Sequence, residues 1–432
     1  MLRPVTAPFL RIRWRIFSFL FGFGFVAYVQ QKSITVAADR IMPDLHLSQL
    51  QIGLLEQAFV VGYAFFQLPG GIFGQRVGAR RAFTSIGLLA FAAMTATAVA
   101  PELFSGEGIF LALLGAQLLL GVAQGAIFPV SAGVFSAWFP PRRWAIVQGL
   151  QTMGLQLGAA VTPPAVAALM LTLGWQRALF WISAPVLVLI GCWAWYARNT
   201  PDEHPAMSTA ELVEIGDHRA SAGDSSISVR RLLRVLGNRN VFVLAVSYLC
   251  MNYVFYLLSN WVFLYLVQER HFSVLESGWL ATAPPLAAAL GAGLGGILTN
   301  ALLPRFGTGW GYRLVPLVAL PLAGLLLLGA VHAANAYLAV ATLAACYLAV
   351  ELTEASYWGS VMTIGGGDTM AVSGFMNTGG NLGGIIGIPI VAYLSGHHDW
   401  NAAFFAGIGF ALVSGLSWLL IQADRPVGKE PV

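Results

Sequence analysis

Lys32, Glu56, Glu351 and Glu354 are ionisable side chains that stand well inside long apolar runs of this 432-residue sequence. A charge at the centre of a bilayer costs roughly 2.5–3.5 kcal/mol even on the lenient insertion scale, so each asks for a reason. Lys32 shares a helical face with Tyr28 and Thr35, and its ammonium is a candidate for binding an anion. Glu351 and Glu354 are three residues apart, which puts them on nearly one face of a helix. A carboxyl group there can carry a proton, so these two are the candidates for proton coupling. Plainer roles stand beside these: a helix-packing or snorkelling lysine, a structural carboxylate pair, and for Glu56 a gate or a wetted rim near the outer mouth.

Uncharged polar groups also fall on apolar runs: Gln148, Gln151, Gln156, Asn252, Asn260, Asn377 and Asn381. Buried amides in lipid are either interhelical glue or cavity lining. Tyr28, Tyr63, Tyr253, Tyr256 and Trp358 are aromatic surfaces for an organic solute or ordinary packing residues. Other chemistry is unsupported. No HExxH or GxSxG occurs, and Gly365-Gly366-Gly367-Asp368 is followed by no P-loop lysine. Cys192, Cys250 and Cys346 sit in apolar runs without CxxC spacing. None of the seven histidines lies in mid-span, which argues against a histidine proton relay. No enzyme activity, metal or cofactor is expected.

The elements that hold these groups are membrane spans. The chain is 57% hydrophobic and 10% charged, with a mean hydropathy of +0.73; soluble domains carry about 25% charged residues. That composition excludes an ordinary soluble enzyme, a disordered chain and a nucleic-acid binder. A span needs roughly 20 apolar residues. Twelve runs meet this: 16–38, 52–73, 82–100, 109–135, 144–169, 178–197, 240–267, 274–299, 314–332, 335–360, 369–395 and 400–422. The polar stretch 198–239 divides them, giving a bundle over 1–197, a linker and a second bundle over 240–432. The first run follows Arg3, Arg11, Arg13 and Arg15 but ends in Gln30-Gln31-Lys32 with no A-x-A site, so it reads as a span rather than a signal peptide.

Basic residues mark the cytoplasmic side. With the N-terminus inside, inner segments hold 19 Lys and Arg and outer loops hold 3, Arg40, Arg177 and Arg270. Both termini and the linker are therefore expected in the cytoplasm. The halves also repeat. At an offset of 225 residues, His46, Ser48, Gly53, Gly70 and Gly71 fall on His271, Ser273, Gly278, Gly295 and Gly296. Val147, Gly149, Gly154, Gly158, Pro164 and Trp175 fall on Val372, Gly374, Gly379, Gly383, Pro389 and Trp400, and Gln156 on Asn381. One ungapped offset is expected from residue 46 to 180. Parallel repeats of this kind bind substrate near the midplane between two bundles. The glycine rows Gly149, Gly154, Gly158 and Gly374, Gly379, Gly383 read as close helix packing.

The loop after the second run, Gly71-Ile-Phe-Gly-Gln75-Arg76-Val-Gly78-Ala-Arg80-Arg81, resembles the signature of the major facilitator superfamily, GxxxD(R/K)xG(x)RR. A degraded copy follows at Gly296-Ile-Leu-Thr-Asn300, before Arg305 and Gly307. Trp138-Phe-Pro-Pro-Arg142, Gly174-Trp-Gln-Arg177, Asn199-Thr-Pro-Asp-Glu-His-Pro205, Glu354-Ala-Ser-Tyr-Trp358 and Met376-Asn377-Thr-Gly-Gly-Asn381-Leu-Gly-Gly384 narrow the resemblance to its anion:cation symporters. That resemblance implies an all-α fold of twelve transmembrane helices in two six-helix repeats. It also implies alternating access, an organic anion such as a sugar acid or aromatic acid as solute, and proton symport.

The chain departs from such relatives where they carry charge. Their Asp-Arg pair in the first span is Gln30-Gln31 here, and their Arg and Glu in the fourth are Gln117 and Gln124. The acid of the loop signature is Gln75, which implies a weaker lock on the outward-open state. Glutamine offers hydrogen bonds without charge. The expected solute site is Tyr28, Gln31, Lys32, Tyr63, Gln124, Tyr253, Trp358, Asn377 and Asn381; the gating motif is Gly71, Gln75, Arg76, Gly78, Arg80 and Arg81. The expected partners are a small organic solute, with or without protons, and the lipid bilayer of the cytoplasmic membrane, around a monomer. Uniport, a neutral polar solute, or a receptor that binds without transporting are the competing readings.

Overall fold

A computed structural model describes residues 11–216, 229–272, 280, 282–396 and 399–427. Every regular element among them is helical. Nine described stretches are long and apolar enough to cross a bilayer. Three of them, Pro141–Tyr196, Ala283–His332 and Ala336–Ser395, run 56, 50 and 60 residues. At 1.5 Å per residue these would be about 75–90 Å long, far beyond a hydrocarbon core of about 30 Å. Each is interrupted by a glycine at positive φ, Gly174, Gly307 and Gly366, and so supplies two spans. Twelve spans result. The eighth expected run, 274–299, opens on residues outside the described set.

The spans are built from α1 (Ile12–Leu45), α2 (Gln49–Val77), α3 (Ala79–Leu103), α4 (Glu107–Gly125) with α5 (Ile127–Trp138), and α6 (Trp144–Ser183) with α7 (Pro185–Tyr196). After the short helices α8 (Thr209–Ile215) and α9 (Val229–Leu236) come α10 (Arg239–Gln268), α11 (Ala283–His332), α12 (Ala336–Glu351) with α13 (Glu354–Gly365), α14 (Thr369–Gly396) and α15 (Trp400–Ser417). The fourth span is thus α4 plus α5, and the tenth is α12 plus α13.

The repeat is visible in the backbone. His46 (φ 53°) and His271 (φ 57°), 225 residues apart, are the described non-glycine residues with positive φ. The single ungapped offset does not hold. Gly78 (φ 83°, ψ 154°) separates α2 from α3, and Gly307 (φ 69°, ψ 176°) breaks α11 at the corresponding turn. These two are 229 residues apart. Glu107 and Ala336, which open α4 and α12, keep the distance of 229; Ile127 and Glu354 stand 227 apart; Trp144 and Thr369 return to 225. The reason is steric. A left-handed turn takes glycine at little cost, so the glycine fixes the turn and the spans on either side absorb the insertion.

The chain forms two compact units. One holds the described residues up to 141, with 161–216 and 367–374; the other holds 142–160, the described residues from 229 to 366, and 375–427. In the first unit a core of Ile34, Leu55, Phe59, Ala93, Leu113 and Trp175 is closed by small residues. A Cβ on Gly62 would strike the Leu118 carbonyl, and one on Gly121 the Phe59 carbonyl. In the second unit Gly291 and Gly295 meet the carbonyls of Leu348 and Leu352 in the same way. Backbones this close gain dispersion contacts that larger side chains would prevent. The expected packing rows behave alike: Gly149, Gly374, Gly379 and Gly383 each face a backbone carbonyl of a neighbouring span.

Candidate functional site

In the first unit the fourth span breaks at Ala126, and Gln124 stands just before the break. Gln124 Nε2 donates to Gln30 Oε1 at 3.1 Å and to the Ala27 carbonyl at 3.2 Å. Gln30 Nε2 passes the chain on to Ser183 Oγ at 2.7 Å. Gln117 Nε2 donates to Thr97 Oγ1 at 3.2 Å. All three glutamines are buried. They tie the first, third, fourth and sixth spans together, and Gln124 uses its amide on protein partners. Ser183 had no signal beyond being a lone polar residue in an apolar run.

Gln31, Lys32, Tyr28, Tyr63 and Glu56 are half-buried. Tyr63 stacks on Phe59 with centroids 5.7 Å apart. Thr35 Oγ1 donates to Glu56 Oε1 at 2.8 Å. Lys32, three residues before Thr35 on the same helix, keeps accessible surface.

In the second unit the tenth span breaks between Glu351 and Glu354, at Leu352 and Thr353. Both residues keep right-handed helical dihedrals, so the break is a tightened turn of the span. Thr353 N donates to the Val350 carbonyl at 3.1 Å, a tighter turn than the α-helix makes. The two carboxylates therefore find different partners. Glu354 accepts from Tyr248 Oη at 3.0 and 3.2 Å and from Trp358 Nε1 at 2.8 Å. Glu351 Oε1 accepts from Gln156 Nε2 at 3.1 Å, and its Oε2 is buried with no hydrogen-bond partner. Glu351 is 1% exposed.

Asn381 Nδ2 donates to the Asn377 carbonyl at 2.8 Å, and Tyr256 Oη donates to Asn381 Oδ1 at 2.8 Å. Tyr253 is buried and stacks on Phe410 with centroids 4.4 Å apart. Trp358 is buried and spends its indole N–H on Glu354. Tyr248 was missed in the sequence. Its signal was the row Tyr248, Asn252, Tyr256 at intervals of four, one face of α10, against which Gly380 and Gly384 leave room.

The gating motif lies wholly in the first unit. Gly71, Gly74 and Gly133 form a socket around Met370. Gln75 Nε2 donates to the Gly367 carbonyl at 2.9 Å and to Asp368 Oδ1 at 3.4 Å. The acid missing at residue 75 is met by an acid on the other side of this contact. Gly78 packs on the Asn199 side chain, whose Oδ1 accepts from Arg80 N at 3.0 Å. Arg80 Nε donates to the Ala194 carbonyl at 2.8 Å. Arg76 and Arg81 are exposed.

The start of the linker is fastened to the same unit. Arg13, 3% exposed, pairs with Glu214 at 2.8 Å and Glu211 at 3.8 Å, and Arg11 also pairs with Glu214. His204 is buried edge-on against Tyr196 and Trp138, with centroids 4.8 and 6.1 Å away. Burial, and then the Arg198 guanidinium, holds the His204 imidazole below the usual histidine range.

Twelve spans, a twofold internal repeat and ionisable groups lodged at span breaks define a multi-pass membrane transporter. The sequence pattern of the Major Facilitator Superfamily matches residues 20–370, and the chain belongs to that superfamily. It is 27% identical to the probable sulfoacetate transporter SauU of Cupriavidus necator over 94% of each chain. It is 27% identical to the hexuronate transporter of Bacillus subtilis, covering 96% of this chain and 95% of the relative. It is 25% identical to the probable galactarate/D-glucarate transporter GudP of Escherichia coli, covering 94% and 92%. These names bear out the resemblance to organic-acid permeases read from the motifs. The fold matches the superfamily transporter FucP in its outward conformation, with a TM-score of 0.74 at 16% identity over 95% of this chain and 100% of that one. It also matches the human organic anion transporter MFSD10, with a TM-score of 0.72 at 18% identity over 96% and 100%.

Proposed function

We propose that this chain is a secondary transporter that moves a small organic acid across the cytoplasmic membrane by alternating access, coupled to protons through Glu351 and Glu354. Its halves are 1–197 and 240–432, joined by the cytoplasmic linker 198–239, with both termini inside and the monomer as the working unit. The relatives' solutes, sulfoacetate, hexuronates, galactarate and glucarate, all carry an acid group, which supports Lys32 as the anion-binding cation.

The observation that carries the coupling is the Glu351 carboxyl: 1% exposed, bonded to Gln156 through one oxygen and to nothing through the other. A carboxyl group can gain and lose a proton where the amides of the first unit cannot. The second reading, uniport or a neutral polar solute, is favoured by the closure of Gln30, Gln117 and Gln124 on protein partners.

The test is uptake into proteoliposomes of a panel of radiolabelled acids with and without an inward proton gradient. Parent protein should accumulate its acid several-fold above the external concentration. Glu351→Gln or Glu354→Gln should retain exchange and lose accumulation. Gradient-independent uptake by the parent would favour uniport, and binding with no flux would favour a receptor.

A further inference from the structure

Along the outside of the first unit, the first and sixth spans leave a groove of about 860 Å³. Phe19, Gly22 and Val26 line it from α1, and Pro185, Val188 and Cys192 from α7. Spacings of three and four residues put each set on one helical face. Gly22 lets the spans close behind the groove, since a Cβ there would meet Leu189 at 3.2 Å. Val188 is 70% exposed, so this wall faces lipid. Both stripes continue to a polar end. Arg15 stands four residues before Phe19 and Tyr196 four after Cys192, and Arg15 Nη1 donates to Tyr196 Oη at 3.3 Å. Just past them, Arg198 Nη1 donates to the Trp195, Tyr196 and Ala197 carbonyls. Neither guanidinium forms an ion pair with a described residue, whereas Arg11 and Arg13, a turn earlier, pair with Glu214 and Glu211.

We propose that this groove binds an anionic phospholipid, with one acyl chain along the two stripes and the phosphate on Arg15. The length fits. From Arg15 to Val26 the stripe runs eleven residues, about 16 Å at 1.5 Å per residue, which is one leaflet's half of a hydrocarbon core of about 30 Å. Trp195, 77% exposed, and Tyr196 stand at the polar end, and these residue types sit at headgroup level. The charge fits as well. A guanidinium grips a phosphate through paired N–H donors, and Arg15 spends one of its five on Tyr196. Arg198 adds a second positive charge, and basic sites between spans bind acidic headgroups. A zwitterionic lipid brings the same chains and phosphate with a cation of its own, so two unpaired guanidiniums favour the lipid of net negative charge. A soluble phosphate brings the charge without a chain and leaves the groove unfilled.

The full chain, stripped of lipid in detergent, is mixed with phosphatidylglycerol or with phosphatidylcholine of the same acyl chains, and bound lipid is counted by native mass spectrometry. A monodisperse size-exclusion peak checks folding. The parent should retain phosphatidylglycerol at least fivefold over phosphatidylcholine. Arg15→Gln, a change at an exposed residue, should erase that preference. Cys192→Trp, which fills the groove, should lower retention of both lipids. Arg425→Gln, which removes an exposed charge from the second unit, should leave both at parent values. Glycerol 3-phosphate, which carries the phosphate without acyl chains, should not displace the lipid. Equal retention of the two lipids by the parent overturns the proposal, as does an Arg15→Gln variant that keeps the preference. Displacement by glycerol 3-phosphate also overturns it and makes the arginines a site for soluble anions. A dimer that persists without lipid and is lost in Cys192→Trp overturns it in favour of a contact between two copies of this chain.

Discussion

The fourth and tenth spans are the same device built twice with different chemistry. Each breaks part-way along, between Gly125 and Ile127 in one and between Glu351 and Glu354 in the other. The residues before the breaks, Gln124 and Glu351, are 227 apart, the same distance as the helix starts Ile127 and Glu354. Each also takes part in a hydrogen bond with a glutamine from another span, Gln30 or Gln156. In the first unit both partners are amides, so donors and acceptors pair off along Gln124, Gln30 and Ser183. In the second the partner is a carboxylate, and one oxygen is left over. Amides close the break into structure, whereas the acid leaves it able to change protonation. That difference is the reason the proposed proton coupling rests on the second break and not on the first.

Exchanging the chemistry breaks the comparison most directly. Gln124→Glu removes the two amide donations to Gln30 Oε1 and the Ala27 carbonyl. Buried groups left without partners cost about 1–3 kcal/mol each. The variant should unfold several degrees below the parent in a thermal scan in detergent. Glu351→Gln, the reverse exchange, satisfies its partner by an amide-to-amide bond and should leave the midpoint within a degree or two. A stable Gln124→Glu variant would show that the first break has room for a charge and that the two devices are closer than their bonding suggests.

The loop signature gives the next largest effect. Gln75 donates to Asp368 and to the Gly367 carbonyl. The sequence implied a weaker lock because the acid was absent; instead the acid has moved to Asp368 and the amide serves as its donor. Gln75→Glu, which restores the negative charge found in the family signature, sets two carboxylates against each other. Like charges at this range disfavour one another. The variant should expose the Met370 socket, read as faster maleimide labelling of a Met370→Cys probe. Adding Asp368→Asn should return labelling to the parent rate. Slower labelling of Gln75→Glu would mean that the acid still locks from residue 75.

Much of this was legible in the chain. The twelve spans, the repeat and the family motifs follow from apolar run length, offset matches and glycine spacing, which are properties of the backbone's environment. The four site acids and bases were also visible, since a charge in an apolar run stands out whatever its partner. Partners were less legible. Ser183 and Tyr248 are single polar residues among many, and what they bond is set by how spans pack rather than by local spacing. The break after Glu351 was missed because neither Leu352 nor Thr353 is a helix breaker; a span held by packing on Gly291 and Gly295 can give up a turn that sequence alone would continue. The four-residue slip between Gly78 and Gly307 was hidden because the flanking glycine matches stay at 225.

The smallest effect concerns the linker, the part of the first unit that lies outside the spans. His204 is 6% exposed and packs between Tyr196 and Trp138. Its Nδ1 accepts from Ala206 N at 3.3 Å, which requires the neutral ring. Burial first, then the charge of Arg198, lowers its pKa below the model-peptide value of 6.5. The folded linker therefore prefers the unprotonated form, while the released linker takes a proton at the ordinary value. By linkage, attachment is strongest above pH 6.5 and weakens as the pH falls through 6.5 towards the lowered folded value. The ion pairs of Arg13 with Glu211 and Glu214 hold the linker beside this contact, so the change is modest. Limited proteolysis of the linker should quicken two- to threefold between pH 7 and pH 5.5. His204→Phe keeps the aromatic packing, loses the titration and should flatten that dependence. An unchanged pH profile in His204→Phe would assign the effect to the Arg13 ion pairs instead.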